Sequence, residues 1–323
     1  MSPRLLAVLR QLSHAEFRSG QDLAAQLACS RASVHGAVAE AQALGVPIHA
    51  LRGRGYRLAA PLSWLDGEQL DSALGGRGMS LRLFDEQEST NTTLMRWAQA
   101  GAPHRAVVAA EWQTRGRGRR GRDWLGGLGG SLAFSLLWRS TRPASGLSGL
   151  SLAVGVALVR ALRGLGVSGA QVKWPNDVLV AEAKLAGVLI ELTGDVLGPS
   201  AAVIGVGINV AGGALLTDRL GLPVTDVQAH AGPLDRNQLL LALLAELDGA
   251  LHHFEQEGFP VFRTEWQACH AHRDQRVRID MASGEGFSGL ARGVDEQGAL
   301  LVDTGTGMRH VHSGEVSLRR VAS

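Results

Sequence analysis

Residues 112–124 read WQTRGRGRRGRDW, in which Arg115, Arg117, Arg119, Arg120 and Arg122 and three glycines crowd against one carboxylate, Asp123. A run this basic and glycine-rich has no apolar face to bury as helix or strand, so a mobile loop that receives an anion is expected. Residues 116–121 also satisfy GxGxxG behind an apolar run at 107–112, the arrangement of a dinucleotide-binding turn. That turn requires a helix directly after its third glycine, whose N-terminus receives the pyrophosphate. Here Gly126, Gly127, Gly129 and Gly130 follow and break any helix. The anion is therefore assigned to guanidinium forks and glycine-freed amides. A basic loop lying on nucleic acid or in solvent is the plain alternative.

Of 32 basic residues only two are lysines, Lys173 and Lys184. Against an arginine-rich background, each is a candidate for a place that needs a compact ammonium instead of a planar fork. Lys173 opens KWPND, ending at Asp177, where a charged pair flanks a rigid Trp-Pro turn; an ion pair holding that turn explains the residues equally well. Lys184 opens KLAG and leads into an apolar strand, where a solvated edge lysine would look the same. Ser89-Thr90-Asn91 sits between a strand and a helix, the usual setting of an ordinary helix cap. Gly205 and Gly207 in GVGIN, ended by Asn209, leave room for a ligand to approach the backbone, or for a bulge. Asp85, Glu86 and Glu88 read as a solvated acidic face. Cys269, His270 and His272, and likewise His310 and His312, lack the fourth ligand of a metal site, and no metal-binding residue is assigned.

These residues are carried by three kinds of sequence. Residues 1–60 hold seven arginines against three carboxylates. Three helical stripes are followed by strands at 48–51 and 56–58, which spells a winged helix-turn-helix. Its second helix is opened by Ser19 and Asp22, its third by Ser30, and Gly45 closes the third. Ser30, Arg31, Ser33 and His35 at the start of the third helix, with Arg52 and Arg54 of the wing, are the DNA-facing candidates; a small helical interaction domain is the alternative. Residues 61–272 alternate apolar strands (81–84, 106–112, 132–138, 178–180, 188–192, 201–210) with helices (92–100, 147–165, 236–257), the pattern of an α/β domain with a mixed sheet. Residues 273–323 contain short glycine-punctuated β runs and a turn at 295–298, read as a small SH3-like β-barrel.

A chain of 323 residues with 45% hydrophobic content and a net charge of +2 suits a folded multidomain protein. No run of 18 unbroken apolar residues and no export signal is evident, so the expectation is a cytoplasmic protein with no membrane partner. Two cysteines far apart, Cys29 and Cys269, read as reduced thiols.

The five motifs STN at 89–91, GRGRRGR at 116–122, KWPND at 173–177, KLAG at 184–187 and GVGIN at 205–209 stand in the order and approximate spacing seen in biotin protein ligases. With a winged helix in front and a β-barrel behind, the chain resembles the bifunctional ligase and biotin operon repressor. The resemblance implies a two-step reaction. Biotin and ATP form biotinyl-5′-adenylate and pyrophosphate, and the adenylate then acylates a lysine of the biotin carboxyl carrier protein, with magnesium accompanying the nucleotide. By motif, it places Ser89, Thr90, Asn91, Gln113, Arg117, Gly118 and Arg119 on biotin and its adenylate. Arg119, Arg122 and Asn209 fall on ATP, and Lys184 between the biotin carboxylate and the α-phosphate. Lys173 and Asp177 shape the reaction centre, Asp177 orienting or deprotonating the incoming lysine. It further implies an adenylate-induced homodimer that sets two winged domains on operator DNA. Arg115 departs from the small residue usual in the family. The competing reading is a non-enzymatic transcription factor that only senses biotin or a nucleotide.

Overall fold

The computed structural model describes Ser2 and residues 4–194, 200–281, 285–312 and 316–320. The N-terminal unit comprises α1 (Leu5–Gln11), α2 (Gly20–Gln26), α3 (Arg31–Ala43) and the antiparallel hairpin β1 (Ile48–Leu51) and β2 (Gly55–Leu58). Its caps are those the sequence signals: Ser19 accepts from the Asp22 amide and Ser30 from the Ser33 amide. Arg18 pairs with Tyr56 as a third, isolated strand rung, and a Cβ on Gly55 (φ +101°) would lie 2.0 Å from the Arg18 carbonyl oxygen. Only glycine fits there.

The central unit opens with a helix that sequence reasoning missed, α4 (Gly67–Gly75), capped by Asp66. It continues through β3 (Ser80–Gln87), α5 (Thr90–Gln99), β4 (Ala106–Gln113), β5 (Ser131–Ser140), α6 (Leu150–Gly164), β6 (Gln171–Lys173), β7 (Asp177–Val180), β8 (Ala183–Gly194) and β9 (Ser200–Asn209). Four helices follow: α7 (Gly213–Leu220), α8 (Gln228–Ala231), α9 (Arg236–Glu257) and α10 (Pro260–Ala268). The seven strands run in the order β3-β4-β5-β9-β8-β7-β6, with β3 and β4 parallel and the other pairs antiparallel, so the sheet is mixed.

Strand periodicity splits the sheet between two cores. Val107 and Ala109 of β4 and Phe134 and Leu136 of β5 face the large core under α6 and α9, whereas Ala106, Val108 and Leu137 face a smaller one under α5. Residues 144–164 are long and apolar enough to cross a membrane, yet 67% of that window is buried, because α6 is the helix around which the large core closes. A fully buried ion pair, Arg236 to Glu111, ties α9 to β4. Both groups also hold the segment entering the domain, through Ser63 and Leu65.

The C-terminal unit is a five-stranded antiparallel sheet: β10 (Arg276–Met281), β11 (Gly286–Val294), β12 (Leu300–Asp303), β13 (Met308–Val311) and β14 (Val316–Arg320), in the order β13-β12-β11-β10-β14. Its inward Val277, Ile279, Val294 and Leu300 join the large core. Contact with the winged unit is more local. Arg10 pairs with Asp85 at 2.5 Å and lies over the Trp64 ring, and Leu128 is buried in the helix-turn-helix core. Asp85 and Glu88 are exposed, as a solvated acidic face should be, but each has cationic company: Asp85 takes Arg10, and Glu88 faces Arg96 and Arg115 at 3.8 and 3.6 Å.

Candidate functional site

On one face of the sheet Ser135 of β5, Gly187 of β8 and Gly205 and Gly207 of β9 lie side by side, and the three glycines, with Leu189 beside them, line the hollow that is the site. Gly205 and Gly207 make room for the protein's own side chains. A Cβ on Gly205 would lie 2.1 Å from Asn91 Oδ1, and one on Gly207 2.4 Å from Trp124 Cε2. Ser89 occupies the N-cap position of α5 but makes no side-chain cap bond, so the simple cap reading of Ser89-Thr90-Asn91 does not hold. All three residues are buried and committed inward. The Thr90 amide donates to Gln113 Oε1 at 2.8 Å, Ser135 Oγ lies 2.8 Å from Thr90 Oγ1 and 2.6 Å from Asn91 Oδ1, and Asn91 Nδ2 donates to Glu191 Oε2 at 2.8 Å. Such a mutually braced polar floor, with the Ser89 hydroxyl outside its bonds, is pre-shaped to hydrogen-bond a small polar ligand.

The arginine run, expected as a mobile loop, folds back on itself. The Gly118 amide donates to the Arg122 carbonyl at 2.7 Å and the Trp124 amide to Gly116 at 2.8 Å, while Arg117 and Asp123 form a bridge. Glycine permits this closeness, since a Cβ on Gly116 would meet Trp124 O at 2.6 Å. Arg120 and Gly121, both at positive φ, turn the tip. Arg117 is ion-paired with Glu191 of β8, and Arg119 Nη1 donates to Asn176 Oδ1 at 3.2 Å. The flap is thereby strapped to the sheet edge from both sides of Gly118.

Under the flap the cations converge. Asp177 pairs with Lys184, Nζ to Oδ1 at 2.8 Å, and not with Lys173, which is instead its backbone partner across the β6–β7 hairpin. Burial pushes the Lys173 ammonium below its ordinary range; Asp177 opposes this and Lys184 adds to it. Burial likewise lowers Arg119, against the pull of Asp177. Lys184 Nζ also stands 5.5 Å from the Trp124 ring centre. Asn209, buried, donates to the Lys184 carbonyl at 3.2 Å and so braces the strand that carries the lysine.

Two adjoining cavities, of about 570 and 710 Å³, share a wall made by the flap from Arg117 to Asp123 (Arg120 excepted) together with Asn176, Val188 and Leu189. Ser89 to Asn91, Gln113, Lys173, Asp177, Lys184 and Asn209 line the first; the second runs along β8 to Leu192 and the start of α6. Leu216, Leu220 and Leu222 of the α7 segment form the lip of the first cavity. The structure thus brings together every ligase residue assigned from the motifs. It adds Trp124 and Asn176, which the sequence places only as members of the arginine run and of KWPND without a role of their own, and Ser135 and Glu191, which leave no signal in it.

The DNA-facing candidates lie apart from this site. Arg31, His35, Arg52 and Arg54 are exposed, His35 Nδ1 lies 3.2 Å from the Tyr56 hydroxyl, and Arg54 stacks over Phe17. The Ser30 and Ser33 hydroxyls bond each other while Ser30 caps α3. Among the described residues no group of three or more histidines, cysteines and carboxylates could hold a metal ion.

Compared with known proteins, residues 83–209 match the biotin/lipoate A/B protein ligase family, 272–319 the biotin protein ligase C-terminal domain, and 4–57 an HTH domain. The bifunctional ligase/repressor BirA of Salmonella typhimurium is 36% identical over 97% of both chains, and that of Escherichia coli 35% identical over 97% of both. The biotin--[acetyl-CoA-carboxylase] ligase of Mycobacterium tuberculosis is 34% identical over 80% of this chain and 97% of its own. The structure of biotin protein ligase from Aquifex aeolicus in complex with biotin and ATP matches with a TM-score of 0.66 at 30% identity, covering 75% of this chain and 99% of that one.

Proposed function

The chain belongs to the biotin protein ligase family in its bifunctional, helix-turn-helix-bearing form, and we propose that its two joined cavities carry out the ligation as follows. The biotin carboxylate oxygen attacks the α-phosphorus of ATP and pyrophosphate leaves. The ε-amine of a carrier-protein lysine then attacks the acyl carbon of the adenylate, and AMP leaves.

Both steps bring an anion or a nucleophile to a highly charged centre, so fixed cations must cancel repulsion in a site shielded from water. The observation that carries this assignment is the convergence of Lys184, Lys173 and Arg119 on the carboxylate of Asp177 in the wall of the first cavity, with Arg119 shared by both cavities. Ser89, Thr90, Asn91 and Gln113 are assigned to biotin, with Trp124 closing over it. Arg117, Gly118 and Arg119 hold the adenylate. Arg119 and Arg122 meet phosphates, with Asn209 on the nucleotide side. Lys184 bridges the biotin carboxylate and the α-phosphate, and Asp177 receives the proton of the incoming amine.

Among the described residues no three carboxylate, histidine or cysteine side chains gather to cage magnesium, and of the cavity carboxylates Asp177 is paired with Lys184 and Glu191 with Arg117 and Asn91. An ion accompanying ATP would be held by phosphate oxygens and water, as magnesium prefers, and no residue-level step depends on it.

The division into a winged domain (1–60), a ligase domain (61–272) and a C-terminal barrel domain (273–323) accompanies this reading, as does work in the cytoplasm. The far edge of β8 supports a shared docking surface. Beyond Gly187, residues 189–193 pair with β9 on one side and, among the described residues, with no strand on the other, and Leu192 is 45% exposed. A second copy adding its own strand there would form the adenylate-dependent homodimer that presents two winged domains to operator DNA, and the carrier protein would compete for the same edge. Biotin-dependent exchange of labelled pyrophosphate into ATP tests the ligase assignment. Biotin binding without exchange would favour a sensor that does no chemistry. Sedimentation with and without biotin and ATP tests the dimer; unchanged mass at micromolar protein would count against it.

A further inference from the structure

We propose that the turn at 295–299 of the C-terminal sheet is a positioning element for the reaction centre, acting through the buried indole of Trp174; this rests on the ligase reading above.

Trp174 Nε1 donates to the Gly298 carbonyl at 3.1 Å, and the side chain is fully buried, so its orientation is set by that bond and its packing. Its chain neighbours Lys173, Asn176 and Asp177 line the first cavity. The accepting carbonyl is itself fixed. Asp295 Oδ1 accepts from the Gln297 and Ala299 amides at 3.0 and 2.9 Å, the Gly298 amide donates to Asp295 O at 3.1 Å, and Asp295 Oδ2 lies 2.8 Å from His310 Nδ1 on β13. Gly298 is at φ +82°, and a Cβ there would come within 3.0 Å of Gly149 Cα. Two serines at the start of α6 complete the brace: Ser148 Oγ donates to Gln297 O at 2.7 Å and Ser151 Oγ to Pro175 O at 3.1 Å.

A continuous set of bonds therefore runs from His310 through Asp295, the turn and Trp174 to the residues that set Asn176 and Asp177. Asn176 in turn receives Arg119 and donates to Val188 O at 2.7 Å, while Asp177 holds Lys184. None of these bonds ends on Ser89, Thr90, Asn91 or Gln113: Thr90 is held by Gln113 of β4 and Ser135 of β5, and Asn91 by Ser135 and by Leu189 and Glu191 of β8. The turn should accordingly govern catalytic geometry without governing biotin affinity. Glue between two domains would affect stability alone.

The test compares Trp174→Phe, Asp295→Ala, Asp295→Asn and the Trp174→Phe/Asp295→Ala double variant in the full chain, by pyrophosphate exchange, carrier biotinylation and thermal melting. Displacing reacting groups by about 1 Å can cost about a hundredfold in rate, so a tenfold or larger loss of kcat is expected for Trp174→Phe and for Asp295→Ala. The biotin KM is expected to stay within about twofold of the parent, because uniform binding is untouched. Asp295→Asn, which keeps an oxygen for the two amides, should recover most of the rate. The double variant should lose no more than the worse single one, because both changes break the same set of bonds. Multiplying losses, or a lowered Tm with unchanged kcat, would overturn the proposal. Should Trp174→Phe fail to fold, an unchanged kcat in Asp295→Ala overturns it by itself. A wild-type chain without biotin-dependent exchange would overturn the ligase reading instead.

Discussion

Lys184 Nζ and Asp177 Oδ1 stand 2.8 Å apart on neighbouring strands, where the register between β7 and β8 shifts at Val178–Leu179. The irregularity re-aims side chains at the cavity, as bulges beside active sites do. The pair is partly solvated, with 37% and 20% of the two side chains exposed, so it adds little to stability.

Replacing Lys184 should therefore be felt in chemistry and not in folding. Lys184→Ala is expected to reduce pyrophosphate exchange by about a hundredfold or more, the usual cost of losing one donor aimed at developing charge, with the melting temperature nearly unchanged. Wild-type exchange in this variant would refute the role given to Lys184.

Gly207→Ala tests the floor of the site. The added methyl would sit 2.4 Å from the Trp124 indole, which must then leave the sheet. The biotin KM should rise by about tenfold, in the range that one misplaced methyl costs a shaped pocket. Steady-state kinetics against biotin measures it, and an unaltered KM would remove Trp124 from the biotin site.

The motifs were legible because their chemistry is local. Charge against glycine marks the flap, the two lysines stand out in an arginine background, and the glycines of β9 announce a close approach. What approaches was not legible. Trp124 and Asn91 reach Gly207 and Gly205 across more than eighty residues of chain, and the Lys184–Asp177 pairing depends on a register shift no pattern encodes. The same limit hid α4, α7 and α10. These are short elements whose apolar faces, such as Leu70 with Leu74 or Phe262 with Trp266, become meaningful only against the core they complete. Nor was it legible that the arginine run would close on itself through the backbone turns its own glycines permit.

The Arg236–Glu111 pair is fully buried on both sides. Two Arg236 nitrogens, Nε and Nη2, have no hydrogen-bond partner among the described residues, so removing the carboxylate would leave the buried guanidinium charge uncompensated. Glu111→Ala should cost about 3–5 kcal/mol in denaturant unfolding, and a well-packed apolar replacement of both residues much less. Equal losses from the single and the paired replacement would contradict this account.

His270 is 4% exposed, and burial first, then the charges of His272 and Arg273, push its imidazole from 6.5 down to about 3. The folded chain keeps it neutral where the unfolded chain takes up a proton. Its contribution to stability is therefore present above pH 6.5 and lost as pH falls toward 3, with a slope of up to about 1.4 kcal/mol per pH unit from this one proton. Denaturant titrations between pH 7 and 4 should show that slope flattened in His270→Phe, a variant whose ring can still stack on Trp266; an unchanged slope would locate the acid sensitivity elsewhere.

The most direct test of the central claim, that cations gathered beneath the arginine flap join biotin to nucleotide and then to a lysine, is mass spectrometry of a carrier domain incubated with this protein, biotin, ATP and magnesium. The account predicts one biotin on a single carrier lysine, with AMP and pyrophosphate released in equal amount. An unmodified carrier with no pyrophosphate, under conditions where biotin is bound, would contradict it.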